Sequence, residues 1–458
     1  MRSPHPSDQR ERHHERWRAA LIVLGGAIVL MSAMGWYALH NPDRFIPQIT
    51  AYVQQQTGLE AHIRHIEIHL FPVLLVRAYG LEIKNPRPFP AGDVLNVPRL
   101  DATIARIPLL RGQVVIPSLV LYKPVINFIS DPDGLWNVQD PSRPKGTPAR
   151  FSMGAISSLQ IENGVLLGSN LIDPTDAPGP VVLDLGNLSA QLNVVRAHPP
   201  SVPGAAASIA GSLTAATARF GSIRTKNLRS QLDITPGRLT FTNLAAKTYQ
   251  GQASGEFVLD FGGKNTMFET SLRVNGIGMP YLMAEFQNGA PKITGMMQAE
   301  LSLMGAITHT AHPLAGIHGT GHVTIHNGEL PSLNRNQDML DMERFRAAGT
   351  GALPASAFSL LAGDMTLRNN RIYSQRIDAE FYGTDVVGSG NTSVLDGAVD
   401  YRGVATVLKK QGFFTSLFAR MFKDAQERNG RLTFLLRITG TLAHPSSSVV
   451  DDSNSHAR

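Results

Sequence analysis

Three histidines at four-residue spacing are the first candidates for a chemical site. His318, His322 and His326 would share one face of a helix and could bind a metal ion there. The glycines at 319 and 321 and the Val-Thr-Ile run favour a strand instead. Four strand residues span about 13 Å, which is too far for neighbouring histidines to share one ion. The pattern therefore predicts exposed histidines on a strand rather than a metal site.

Two other segments resemble catalytic motifs only in part. Residues 387–390 (Val-Gly-Ser-Gly) carry part of a nucleophile elbow, but they stand in a hairpin context. Asp131 and Asp133 would form a carboxylate pair, although Asp-Pro-Asp-Gly is also a typical turn sequence. The chain has no Gly-x-Ser-x-Gly, Walker or His-Glu-x-x-His motif. We therefore predict no enzyme, no catalytic or metal-binding residue and no cofactor.

The composition narrows the class of protein further. The 458 residues include no cysteine, which excludes disulfides and thiolate metal sites. The net charge of +6 is scattered, unlike the clustered basic face of a nucleic-acid-binding protein, so we predict no nucleic-acid partner. The 42 glycines and 29 prolines favour many short strands over long helices.

Residues 19–39 form an uncharged stretch of the length that crosses a bilayer. As a helix they would be roughly 30 Å long. Four arginines precede the stretch, so the positive-inside rule predicts a cytoplasmic N-terminus and a single-pass protein with its bulk outside the cytoplasm. The alternative is a cleaved signal peptide, with a weak cleavage site at residues 33–35, although the length favours an uncleaved anchor. The membrane-anchor candidates are Leu21, Ile22, Val23, Leu24, Ile28, Val29, Leu30, Trp36 and Tyr37.

The pattern after the anchor changes from helical to strand periodicity, and its breaks divide the chain into regions. Pairs such as Asn-Gly, Pro-Gly and Asn-Asn separate apolar runs and predict hairpin turns at 163–164, 236–237, 327–328 and 369–370. The predicted regions are a cytoplasmic basic arm (1–18), the transmembrane anchor (19–39), an N-terminal helix-plus-sheet region (41–138), a linker (139–150), a central β-meander region (151–320), a C-terminal β region with an amphipathic helix (321–443) and a disordered tail (444–458).

Many strands alternate apolar and polar residues, so the sheet should have one apolar face. That face could be the core of a β-sandwich or an open trough on a sheet that curls without closing. Periodicity alone does not distinguish the two, and the sandwich is predicted as the commoner arrangement. If the trough is correct, the candidate lipid-groove residues are Ile66, Ile68, Leu70, Leu232, Ile234, Phe241, Phe257, Leu259, Leu301, Leu303, Leu436 and Ile438.

Residues 413–425 read as a helix with a large apolar face and flanking positive charge. The helix would either cap the end of the sheet or lie in a membrane interface, where its cations attract anionic lipid. The interfacial-helix candidates are Phe413, Phe414, Leu417, Phe418, Met421, Phe422, Lys409, Lys410, Arg420 and Lys423.

The order of several short motifs resembles the AsmA family of Gram-negative envelope proteins. At the N-terminal end they are residues 56–60 (Gln-Thr-Gly-Leu-Glu), 80–86 (Gly-Leu-Glu-Ile-Lys-Asn-Pro), 107–112 (Ile-Pro-Leu-Leu-Arg-Gly) and 133–137 (Asp-Gly-Leu-Trp-Asn). At the C-terminal end they are residues 363–370 (Gly-Asp-Met-Thr-Leu-Arg-Asn-Asn) and 436–445. Together the two ends cover roughly half of the chain.

The resemblance implies an inner-membrane protein with a periplasmic, long, curled, antiparallel β-sheet shaped as a groove, with a few amphipathic helices. It implies (phospho)lipid handling or lipid transport in outer-membrane assembly and envelope lipid homeostasis, with membrane phospholipid as the partner. The alternative is a structural assembly factor for outer-membrane proteins that transports no lipid. Other envelope proteins and self-association are further candidate partners. At one strand per fifteen or so residues the groove would be on the order of 120 Å long.

Overall fold

The computed structural model describes most of the chain after residue 40. The described residues are 41–111, 114–131, 136–138, 156–170, 181–195, 208–235, 237–260, 267–286, 293–306, 316–330, 357–381, 384–408, 426–428, 431–441 and 445–450. The predicted basic arm, anchor (19–39), linker (139–150) and amphipathic helix (413–425) lie outside them. Within the described ranges, no helix has the length and apolar character needed to cross a membrane.

The described chain begins with a 3-10 turn, Pro42–Phe45, followed by helix α1, Ile46–Thr57. Pro47 lies in the first turn of α1, where its missing N–H would have no partner in any case. Gly58 ends the helix with a φ of 75°, a left-handed conformation that glycine adopts without a Cβ clash. A helix thus opens the region predicted to contain helix and sheet, residues 41–138.

Short strands and one short helix follow. The strands are β1 (Ala61–His62), β2 (His65–His69), β3 (Leu74–Lys84), β4 (Asp93–Ile104), β5 (Ser118–Tyr122) and β6 (Val125–Ser130). Helix α2, Arg106–Leu110, lies between β4 and β5.

Longer strands build the centre of the sheet. They are β7 (Ser158–Asn170), β8 (Val181–Val195), β9 (Ser208–Phe220), β10 (Ile223–Thr235), β11 (Arg238–Thr248), β12 (Gly251–Asp260), β13 (Met267–Gly278), β14 (Met296–Ala306) and β15 (His318–Glu329). Helix α3, Met279–Phe286, connects β13 toward β14.

The C-terminal part continues the same sheet. Its strands are β16 (Ala357–Arg368), β17 (Arg371–Phe381), β18 (Thr384–Ser393), β19 (Val399–Leu408), β20 (Gln426–Arg428), β21 (Arg431–Gly440) and β22 (Pro445–Val450).

All 22 described strand segments belong to one sheet. In three cases two short strands pair with different parts of the same side of one neighbouring strand: β1 and β2, β5 and β6, and β20 and β22. The 22 segments therefore occupy 19 strand positions across the sheet. At about 4.8 Å per step this corresponds to about 86 Å along the described sheet. The expected 120 Å referred to the whole chain, which includes residues outside the described ranges.

The mostly β prediction is confirmed, and the sheet is mixed rather than purely antiparallel. Strand β7 runs parallel to β5 and β6, whereas the other described pairings are antiparallel. A parallel pairing needs a long crossover, and the segment between β6 and β7 includes the predicted linker. The sheet passes through all three predicted β regions, and the expected boundary between residues 320 and 321 falls inside β15.

Only two of the four predicted hairpin turns are turns. Gly237 lies between β10 and β11, and Asn369 and Asn370, with φ of 50° and 57°, connect β16 to β17. Asn163 and Asn327 also have positive φ, but they lie inside β7 and β15. At Asn163 the register with β8 shifts, which is a β-bulge. A left-handed asparagine suits either a turn or a bulge, so the dipeptide alone does not distinguish them.

The predicted disordered tail is wrong for residues 445–450. These residues form the edge strand β22, whose Val449 pairs with Leu436 of β21. Backbone hydrogen bonding to β21 orders this segment despite its polar sequence. The remaining tail lies outside the described residues.

Candidate functional site: the apolar face of the sheet

A single line of uncharged residues crosses the sheet from β2 to β19. Each member is the register partner of the next, and we call this line the transverse row. Its seventeen members are Ile68, Val76, Ala102, Leu119, Leu159, Leu192, Gly211, Leu232, Phe241, Phe257, Thr270, Leu303, Gly319, Leu367, Ile372, Thr392 and Val399. Register partners point to the same side of a sheet, so the row covers one face over about 77 Å.

The apolar face is more enclosed toward the first half of the sheet. A cluster of buried side chains extends there from Leu81 of β3 to Ala246 of β11. Leu188 of β8, with 1% exposure, is among its most buried members. In this part the face has the packing of a protein core.

Farther along the sheet the same face is only half-buried. Four side chains of the row are partly exposed there: Phe257, Leu303, Leu367 and Ile372. All described strands belong to one sheet, so within those residues no second sheet lies over these side chains. The described structure therefore differs from the predicted β-sandwich.

Three phenylalanines form a contiguous aromatic patch on this half-buried part. The Phe257 ring lies 6.2 Å from the Phe241 ring and 6.2 Å from the Phe268 ring, measured between centroids. Both separations lie within the range of favourable aromatic pairs. Helix α3 covers one end of the face nearby, where Leu282 and Met283 pack against a buried cluster of Met279, Ile325 and Phe358.

Most predicted groove residues lie on this face. Ile234, Phe241, Phe257, Leu259, Leu301 and Leu303 are half-buried there, as are Leu436 and Ile438 of β21. Ile66 and Leu232 are also on this face, but they are buried against protein, with 1% and 7% exposure.

Leu70 was wrongly predicted as a groove residue. It follows the end of β2, in the connection to β3, and is 50% exposed. Arg106 donates hydrogen bonds to the carbonyls of Leu70 and Pro72, which holds this connection against α2. The alternation in the sequence continued one residue beyond the strand, so periodicity alone misplaced Leu70.

The opposite face carries charged residues in ion pairs. Register partners Ser254, Arg273, Glu300, His322 and Asp364 line a cavity of 730 Å³ on strands β12 to β16. Arg273 donates to Glu300 at 2.8 Å, and His322 lies 2.8 Å from Asp364. The three predicted histidines lie on one strand as expected, and the described residues contain no group of side chains that could hold a metal ion.

Two residues from the segments that resemble catalytic motifs, Ser389 and Asp131, lie in or at the end of strands of the sheet. Ser389 lies within the regular strand β18, not at a strand-to-helix turn. Asp131 is buried at the end of β6, and Asp133 lies outside the described residues.

A second charged cluster lies on the polar face at the N-terminal end of the sheet. Asp101 of β4 accepts hydrogen bonds from Arg77 at 2.9 Å and Arg99 at 2.6 Å. Burial alone would raise the pKa of the Asp101 carboxyl, but the hydrogen bonds from Arg99 and Arg77 outweigh it and lower that pKa to about 2. The cluster therefore joins β3 to β4 through a carboxylate that stays ionised.

Asn137 is a structural residue that the chemical search of the sequence missed. Its side chain accepts from the Ile129 amide at 3.0 Å and donates to the Asn127 carbonyl at 2.8 Å and to Asn85 at 2.9 Å. It is fully buried, so the Trp136-Asn137 motif fastens β6 to the segment that follows β3. The only sequence signal was its place in the family motif.

These features define a protein built on one extended, mostly antiparallel sheet with a continuous uncharged face. The model of the AsmA family matches residues 13–223, and this match supports an AsmA family protein. Neither a curated protein nor a solved structure matches the sequence.

Proposed function

We propose that the apolar face of the sheet binds lipid acyl chains and that the protein handles or transfers phospholipid in the bacterial envelope. The transverse row is the observation that supports this most. It presents no charge from β2 to β19, and Phe241, Phe257 and Leu303 near its centre are half-buried rather than packed under a second sheet of described strands. Exposed apolar surface of this extent is typical of an interaction site.

The chemistry of the face suits acyl chains better than a defined small molecule. Its residues are aliphatic, aromatic or glycine except for two threonines, Thr270 and Thr392, and their repetition from strand to strand offers no unique position for a polar ligand. AsmA family membership fits an envelope-assembly or lipid-related role. A binding function of this kind requires neither a catalytic group nor a cofactor.

The proposal places the sheet in the periplasm, held at the inner membrane by residues 19–39. A reporter fused after Arg458 should then be active only outside the cytoplasm, and the protein should stay with inner membranes after an alkaline wash. A soluble, shortened product beginning near Trp36 would instead support the signal-peptide alternative.

Photocrosslinking on two adjacent residues tests the lipid-binding face. Phe257 lies on the apolar face and its neighbour Glu256 on the polar face. In the full-length protein in cells, p-benzoylphenylalanine replacing Phe257 should form adducts whose mass matches phospholipid, whereas the same group replacing Glu256 should not. Leu303 and Ser302 provide a second matched pair on β14.

Equal lipid crosslinking on both faces, or none at Phe257 and Leu303, would contradict the proposal. The assembly-factor alternative predicts a different result, because an unfolded outer-membrane protein would add to an open sheet edge. Its crosslinks should come from exposed edge residues such as Ser446 and Ser448 of β22 and carry protein rather than lipid.

A further inference from the structure

One rim of the sheet holds a cavity whose positive charges are mostly unpaired. The cavity measures 480 Å³ and lies on the polar face at the ends of β8 to β12, next to α3. Its lining includes four cations and two carboxylates: Arg219, Arg224, Lys226, Lys247, Asp184 and Glu285. We call it the rim cavity.

The strand register places like charges directly opposite each other in the rim cavity. Arg219 of β9 is the partner of Arg224 of β10, and Lys226 of β10 is the partner of Lys247 of β11. Directly opposed like charges destabilise a sheet. Two such pairs side by side therefore indicate that the site is completed by an anion.

The two carboxylates do not neutralise these cations. Glu285 of α3 approaches Arg224 at 3.5 Å, which is the one ion pair formed by the four cations within the described residues. Asp184 is the register partner of Arg219 but forms no ion pair with it. The Arg219 Nε atom is buried, and no group in the described structure accepts its hydrogen bond.

The larger cavity on the same face is different. There Arg273 is matched by Glu300 and His322 by Asp364, both at 2.8 Å. The two cationic side chains of that cavity are thus paired, whereas three of the four cations of the rim cavity form no ion pair within the described residues.

The rim also brings exposed apolar side chains next to the cations. Phe220 and Ile223 end β9 and begin β10, pair with each other in register, and are 44% and 37% exposed. They alternate with Arg219 and Arg224 along the strands and so lie on the apolar-face side of the rim. A charged group bound in the cavity would therefore be separated from the apolar face only by the backbone of the sheet.

We propose that the rim cavity binds a phosphate group, and that a lipid headgroup supplies it. Arginine and lysine donate charge-assisted hydrogen bonds to phosphate oxygens, and two of each line this cavity. The acyl chains of that lipid would pass over Phe220 and Ile223 onto the apolar face. The lipid part of this proposal rests on the proposed function, whereas the phosphate site stands independently of it.

Calorimetric titration of the full-length protein in phosphate-free non-ionic detergent tests the site. The probes are inorganic phosphate and dihexanoyl phosphatidylglycerol below its micellar concentration. Wild-type protein should bind both at low ionic strength, the lipid at least tenfold more tightly because its chains add contacts at the rim. Added salt should weaken both.

The double variant Lys226→Gln/Lys247→Gln should weaken both probes at least tenfold. Both lysines are exposed and their replacement removes like-charge repulsion, so the melting temperature without ligand should not fall. The matched control is Arg273→Gln/Arg376→Gln, which removes two exposed, ion-paired arginines elsewhere and should bind both probes as the wild type does.

Absence of phosphate and lipid binding in the wild type, or unchanged binding in the lysine variant, would overturn the site. Equal affinity for inorganic phosphate and the lipid would overturn the headgroup assignment. Failure of lipid crosslinking at Phe257 would contradict the proposed function but leave the phosphate titration as an independent result.

Discussion

An aspartate on the half-buried part of the apolar face should be tolerated by the fold but not by lipid binding. The change is Phe257→Asp, with Phe257→Ala as the uncharged control. Both variants lose two aromatic pairs with 6.2 Å centroid separations. Each pair contributes about 0.5–1.5 kcal/mol beyond its area, so the shared loss is about 2 kcal/mol before hydrophobic burial is counted.

The aspartate should add little to that loss. Because position 257 is half-buried, a carboxylate there reaches water, and the several kcal/mol of desolvation that a buried charge costs does not arise. We therefore expect the two variants to differ by less than about 1 kcal/mol in unfolding free energy. Lipid that contacts the face would meet a charge only in the aspartate variant.

Leu188→Asp supplies the contrasting case. Leu188 has 1% exposure, so the change loses about 2–5 kcal/mol of core packing and also buries an unpaired charge. That total approaches the whole stability of many proteins, and we expect no folded protein.

The assay combines thermal unfolding of the purified full-length variants with mass spectrometry of their bound lipid. Phe257→Asp should melt close to Phe257→Ala and retain less phospholipid than it. If Phe257→Asp unfolds as Leu188→Asp does, position 257 is buried in protein and the open face is wrong. If the two position-257 variants retain equal lipid, acyl chains do not contact this residue.

Three further predictions concern other parts of the chain. Asn137→Ala should lower the unfolding free energy by about 3 kcal/mol in urea titrations, because it leaves a buried amide and two further groups without their hydrogen-bond partner. The control Asn193→Ala, at an exposed site, should change the unfolding free energy by less than about 0.5 kcal/mol. The lowered pKa of Asp101 should stabilise the fold by about 2 kcal/mol above pH 4 and lose that effect as pH falls toward 2. The stability gap between wild type and Asp101→Asn should therefore narrow over that window, and a constant gap would contradict the assigned pKa. For the helix predicted at 413–425, outside the described residues, liposome binding should disappear with little change in melting temperature when serine replaces Phe414, Phe418 and Phe422. A large fall in melting temperature with unchanged binding would instead identify that helix as a cap.

Local sequence patterns were sufficient for many of the strands and for α1, but not for helices α2 and α3. Period-two alternation identified β2, β11, β12, β14 and β21, and Gly58 marked the end of α1. These features depend on side-chain alternation and backbone conformation, which act within a few residues. The apolar face could be predicted for the same reason, and most of the residues predicted for it lie there.

The sequence could not determine which strands pair or what covers them. Asn163 and Asn369 have nearly the same positive φ, yet one forms a bulge and the other a turn, because the partner strand decides whether the chain continues. The parallel pairing of β7 and the meeting of Arg219 with Arg224 and of Lys226 with Lys247 likewise depend on register. Alternation predicted Phe257 for the apolar face, whereas Leu188 was not among the predicted residues because the chain bulges at Asn187 beside it. Only the tertiary structure decided that one is half-exposed and the other buried, because exposure depends on what long-range packing places above each residue.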